Sequence, residues 1–191
     1  MTNFCLIRHG QTDWNLEGRY QGQSDVNLNE TGLTQARELA LKLADYRFDA
    51  IYSSDLSRAL ETAQIIALQH DLTVTVDERL REINQGEWEG LLVKTIRDRY
   101  DRLWQNRIVD PASMRPPGGE TVEEVAQRAY AALDEIAEHY PTENVLIVSH
   151  GLTLATIICK AKDVPIGLAY QMIPDNALPT WVAWPVREGV H

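Results

Sequence analysis

A chain of 191 residues, 44% hydrophobic and 24% charged, is long enough for one folded unit with a sizeable core. Its formal net charge of −10 argues against a broad nucleic-acid surface, and no run approaches the roughly 20 apolar residues of a membrane span. An anionic ligand must therefore be held by a local cluster of positive groups, not by long-range attraction.

The chain opens directly on an apolar run, Phe4–Arg8, that reads as a strand. No basic region followed by a long apolar stretch precedes it, so no signal peptide and a cytoplasmic location are expected. Cys5 and Cys159 lie in apolar runs without metal-ligand spacing and read as buried, reduced thiols. From Thr31 to Tyr46, Leu33, Ala36, Leu39, Ala40 and Leu43 fall on one helical face. A strand over Ala50–Ser53 follows, then a helix with Asp55 as its expected N-cap, running through Ile65 and Ile66, then a strand over Thr73–Val76. Residues 87–119 differ in character, with Trp88, Trp104, several arginines and a Pro/Gly-rich end. They read as an inserted helix, roughly Val93–Trp104, and a loop: either a lid over a site or a plain surface excursion. A capping-box pattern, Thr121 with Glu124, opens a long helix whose buried side carries Val122, Val125, Ala129, Leu133 and Ile136. The strand Asn144–Ser149, fully apolar over Val145–Val148, reads as central; a helix begins just after His150, and Thr180–Trp184 is a last strand. Strands alternating with helices predict an α/β three-layer sandwich, a mostly parallel central sheet with helices on both faces.

Chemistry concentrates at two strand ends. Arg8-His9-Gly10 ends the first strand and His150-Gly151 ends the central one, where open α/β sheets place their ligands. If the strands are neighbours, two imidazoles converge there. The Gly151 and Leu152 amides would then open a helix and offer N–H donors to an anion. A metal site is a rival reading, disfavoured by Arg8 beside His9 and by the lack of recognisable ligand spacing. Two core histidines without function is the other.

Beyond these residues, the run 6–15 (LIRHGQTDWN) with Arg19–Gly22, the segments 29–36 (NETGLTQA), 51–63 (IYSSDLSRALETA), 80–90 (LREINQGEWEG) and 117–121 (PGGET), and 148–151 (VSHG) together resemble the histidine phosphatase superfamily, the phosphoglycerate mutase-like proteins. The resemblance spans about residues 4–160. It implies a phosphoglycerate mutase-like fold as one 1–191 domain, with 87–119 as a candidate lid. It also implies a phosphohistidine on His9, Arg8 and Arg58 on the phosphoryl oxygens, His150 as a further donor, and Glu82 as general acid. A bound dianion beside Glu82 favours the protonated carboxyl this role needs; Glu87 and Glu89 are weaker candidates. Asn15, Gln21, Gly22, Gly151 and Leu152 are expected contacts to phosphate or substrate.

The same pocket serves phosphatases and cofactor-dependent mutases. Mutases resembling this chain carry a longer middle segment with an arginine pair, which is missing here, so hydrolysis is favoured. The GEWEG stretch at 86–90 looks like that of phosphatases acting on small metabolites, including α-ribazole phosphates, phosphoserine and phosphoglycerate derivatives. Trp14, Tyr20, Trp88 and Trp104 are candidates for an apolar wall, although each reads individually as core. A non-catalytic phosphate-binding regulator is the remote alternative, set against the presence of all five catalytic residues. The expected ligand is a small phosphorylated metabolite, with no metal or other cofactor, no nucleic acid and no membrane. The last strand, with Trp181 and Trp184, is a candidate edge for pairing into a homodimer.

Overall fold

A computed structural model describes residues 1–184; the last seven positions of the expected 1–191 unit lie outside the described residues. Strands β1 (Thr2–Arg8), β2 (Ala50–Ser53), β3 (Val74–Val76), β4 (Asn144–Ser149) and β5 (Pro179–Trp184) form one sheet in the order β3-β2-β4-β1-β5. The first four run parallel, and β5 lies antiparallel to β1 at the edge. The helices are α1 (Asp13–Glu17), α2 (Glu30–Leu43), α3 (Ser57–Ala67), α4 (Val93–Arg99), α5 (Asp101–Val109), α6 (Val122–His139) and α7 (Gly151–Ala161). Among the described residues, no helix is long and apolar enough to cross a membrane.

The strand period divides the core into two layers. Phe4, Leu6, Val145, Ile147 and Trp184 pack on α6 and α7, whereas Cys5, Ile7, Leu146 and Val148 pack on α2 and α3. Both faces of β1 and β4 are thus sealed, which explains the continuous apolar runs of these strands. Burial of each large aliphatic chain contributes about 1.5–3 kcal/mol. The two cysteines are buried and unpaired, and burial pushes the Cys5 thiol up to about 12.

Helix ends follow local chemistry where nothing competes. Thr121 Oγ1 accepts from the Glu124 N–H at 3.2 Å and Glu124 Oε2 accepts from the Thr121 N–H at 2.9 Å, completing the expected capping box. Asp55 does not cap α3. The N-cap is Leu56, without a side-chain bond, because the Asp55 carboxylate pairs instead with Arg81. The second helix ends at Leu43, short of the expected Tyr46. In the insert, the single helix expected over 93–104 is two helices, broken at Tyr100 (φ −123°, ψ 37°). Trp88, Ile96, Trp104 and Met114 give that insert a small core of its own, so it is more than a surface loop.

Candidate active site

Because β1 and β4 pair in parallel with Arg8 opposite Ser149, their next residues leave the sheet side by side. The His9 N–H donates to the Ser149 carbonyl at 3.0 Å, and the His9 and His150 ring centroids lie 5.2 Å apart. His9 Nδ1 is 2.7 Å from the Gly10 carbonyl. A carbonyl can only accept, so Nδ1 carries the proton and Nε2 keeps its lone pair. Burial first, then the Arg58 and Arg8 charges, hold His9 well below the usual histidine range. Burial and Arg58 act likewise on His150, whose two ring nitrogens are buried without a partner. Both imidazoles are therefore neutral at pH 7.

The arginines are aimed by backbone carbonyls. Arg58 is fully buried on α3, donating from Nη1 to Ser24 O and from Nη2 to Gly22 O, each at 2.8 Å. Burial pushes it down to about 10, still charged at neutral pH, and its Nε is buried without a partner. Arg8 Nη1 donates to Pro174 O at 3.0 Å, and Asn176 Nδ2 donates to His9 O at 2.7 Å. The lead-in to β5 thus orients both residues of the first motif, a contact invisible in sequence. Arg8 and Arg58, each with a buried Nε that has no partner, line one cleft, an arrangement complementary to an anion.

Asn15, Gln21, Gly22, Gly151 and Leu152 all line this cleft, as do the five expected catalytic residues except His150, whose buried ring is a tilted neighbour of that of His9. Asn15 Oδ1 accepts from the Thr12 N–H in the capping box of α1, and Gln21 Oε1 accepts from the Thr12 hydroxyl. Their amide nitrogens are what they have left to offer a ligand. Gly151 fits between Ile173 and Arg8, where a Cβ would stand 3.0 Å from Ile173 Cγ2. The Leu152 N–H donates to Glu82 Oε2 at 3.2 Å, a carboxylate that lines the same cleft.

Glu82, in the loop that follows Leu80, accepts from the first turn of α7. Its Oε1 accepts from the N–H groups of Ile83 (3.0 Å) and Thr153 (3.2 Å) and from the Thr153 hydroxyl (3.3 Å). Arg128 on α6 holds the same segment by donating to the carbonyls of Arg79, Arg81 and Glu82 at 2.7–2.9 Å. The two weaker acid candidates do not line the cleft. Glu87 accepts from the Tyr100 hydroxyl at 3.0 Å. Glu89 accepts from the Gln23 N–H (2.8 Å), the Gln85 N–H (3.2 Å) and the Ser24 hydroxyl (2.6 Å), bracing the loop whose carbonyls hold Arg58. Gly22 in that loop has φ +51°, and a Cβ there would collide with Glu89. Of the proposed aromatic wall only Tyr20 faces the cleft; Trp88 and Trp104 fill the insert's core, and Trp14 packs on Gly90. Arg19, Gln85, Arg107, Tyr170 and Ile173 also line the cleft and were not singled out in the sequence. The free space, about 190 Å³, is below the roughly 300–1,000 Å³ of sites for drug-sized ligands.

The sequence profile of the histidine phosphatase superfamily (branch 1) matches residues 4–189, including both histidine-bearing strand ends. The chain belongs to the histidine phosphatase superfamily. Among relatives in that superfamily, it is 33% identical over 177 residues to phosphoserine phosphatase 1 of Hydrogenobacter thermophilus, covering 93% of this chain and 84% of the other. It is 37% identical over 166 residues to the probable phosphoglycerate mutase GpmB of Yersinia pestis, covering 86% and 77%. The solved structure of a mycobacterial glucosyl-3-phosphoglycerate phosphatase superposes with a TM-score of 0.86 at 33% identity, covering 95% of this chain and 90% of that one. The three-layer architecture of this histidine phosphatase is therefore that of its solved relatives.

Proposed function

We propose that this protein is a phosphatase that hydrolyses phosphate monoesters of small metabolites through a phosphohistidine on His9. The observation that carries the reading is the His9 tautomer: Nδ1–H on the Gly10 carbonyl, a neutral ring, and an Nε2 lone pair beside Arg8 and Arg58. In-line attack forms an Nε2–P bond as the P–O bond to the alcohol breaks, while the arginines and His150 take up charge on the phosphoryl oxygens. The departing oxygen needs a proton, and Glu82 is the supplier. Oε1 already accepts three donors and Oε2 only one, so the free lone pair on Oε2 is where a transferable proton fits. In the second step Glu82 takes a proton from water, whose oxygen attacks phosphorus and releases His9 neutral. Two imidazoles flanked by Arg8 and Arg58 form a poor cation site, so turnover requires no divalent metal.

A mutase reading is favoured by the likeness to GpmB. One assay separates the two: the enzyme is given 3-phosphoglycerate with a trace of 2,3-bisphosphoglycerate, in chelator. Release of inorganic phosphate faster than formation of 2-phosphoglycerate is expected. Interconversion outrunning release would put the mutase first, and activity restored only by zinc or magnesium would overturn the metal-free mechanism.

A further inference from the structure

The peptide unit that joins His9 to Gly10 is gripped at both ends. Its N–H donates to Thr62 Oγ1 at 3.1 Å, and its carbonyl accepts from Asn176 Nδ2 at 2.7 Å. Thr62 is fully buried on α3, one turn after Arg58. As threonines inside helices often do, it gives its own proton to the carbonyl one turn back, here Arg58 O at 2.7 Å. A lone pair is what it has left, and that lone pair meets an amide 52 residues away in the chain. Asn176 comes from the opposite side, in the strap that leads into β5. The next residue of the strap, Ala177, donates its N–H to Arg8 O at 2.9 Å while held at φ +53°, where a side chain is disfavoured.

A peptide unit is planar, so holding its N–H and its C=O fixes the plane from which the rest of Gly10 departs. The Gly10 carbonyl depends on that plane, and it is the acceptor for His9 Nδ1–H, with N and O 2.7 Å apart. Were that carbonyl to turn away, Nδ1–H would be buried without an acceptor. The neutral ring would then carry its proton on Nε2, where it blocks attack on phosphorus.

We propose that Thr62 and Asn176 are positioning residues of the nucleophile: by gripping the His9–Gly10 peptide from two sides they hold the tautomer in which Nε2 is free to attack. This rests on the phosphatase reading above. It also ties the nucleophile to the helix that carries Arg58, so that one stretch of α3 sets both the attacking ring and a phosphate-binding guanidinium.

The tautomer is read without turnover, by two-bond proton–nitrogen correlation NMR of the histidine rings at neutral pH, with His9 assigned by its loss in His9→Ala. Wild-type His9 is expected in the Nδ1–H form. Thr62→Val, which keeps the shape and removes the acceptor, and Asn176→Ala should each mix in the Nε2–H form and slow phosphoenzyme formation about ten- to a hundredfold. Thr62→Ser keeps the hydroxyl and should restore both. The loss should be equal for p-nitrophenyl and alkyl phosphates, because a misplaced nucleophile slows every ester alike, whereas a missing acid is felt by alkyl esters. Calorimetric binding of inorganic phosphate should hardly change, since Arg8 and Arg58 keep their carbonyl anchors. A ring that stays Nδ1–H in both variants, a rate that does not follow the tautomer, or phosphate affinity that falls in step with the rate would overturn the proposal. Should Thr62→Val fail to fold, Asn176→Ala, at a half-buried position, decides. If the wild-type enzyme hydrolyses no ester, the phosphatase reading fails, and the spectra still decide on the grip.

Discussion

At His9 the Gly10 carbonyl accepts from Nδ1–H with N and O 2.7 Å apart, while Glu82 is held in place by the N–H groups of Ile83, Leu152 and Thr153. The nucleophile is fixed by one acceptor and the acid by several donors, so each is positioned before substrate arrives. The two roles are separable by leaving group. A p-nitrophenolate departs readily without a proton and an alkoxide does not, so Glu82→Gln should slow phosphoenzyme formation from alkyl phosphates by about 10²–10⁴ and largely spare p-nitrophenyl phosphate. Pre-steady-state bursts with both esters measure this step apart from dephosphorylation. Equal losses would make Glu82 a positioning residue. Strand ends marked Arg8, His9 and His150 in the sequence as candidates, whereas Arg58 and Glu82 stood out only through the resemblance of their segments to the family. The direction of the Leu152 amide was not legible, since it depends on a carboxylate 70 residues away.

Elements aim these side chains through contacts between distant segments. Arg128 on α6 donates to three carbonyls of the segment that carries Glu82, and its Nε pairs with Glu120 at 3.0 Å. Arg128→Met leaves those carbonyls short of donors, at a stability cost of about 1–3 kcal/mol. It should also lower turnover of alkyl phosphates more than that of p-nitrophenyl phosphate, because a misplaced acid matters only where a proton is needed. Denaturant unfolding and the two substrates together measure this, and a uniform loss of activity would show a merely structural role. The Thr121 capping box was readable because both partners sit within one turn. Asp55 misled because its intrinsic capping preference yields to Arg81, 26 residues away. The break at Tyr100 and the position of Arg107 depend on the insert's own packing, which no local period encodes.

For the whole molecule, the parallel pairing of β1 with β4 is what brings two histidines 5.2 Å apart; a parallel sheet was legible in the alternating segments, but which strands are neighbours was not. Gathering neutral imidazoles among buried groups has a thermodynamic consequence. The folded values of His9 and His150 lie well below 6.5, so between those values and 6.5 the unfolded chain binds more protons than the folded one. Their contribution to stability is complete above pH 6.5 and is lost as pH falls toward the folded values. The melting temperature should therefore drop from pH 7 to pH 5, and more shallowly in His150→Asn, which removes one of the two titrations. An equal slope in wild type and variant would contradict this assignment of the pH dependence.

The central claim is the covalent intermediate. The enzyme is mixed with a phosphate monoester, quenched within the first turnover in alkali, and mapped by mass spectrometry. One phosphoryl group on His9, stable in alkali and labile in acid, is expected. In His9→Ala the label should be absent and turnover reduced by about four orders of magnitude or more, roughly 5 kcal/mol of barrier. Label on His150 or on a serine, or full turnover without His9, would contradict it.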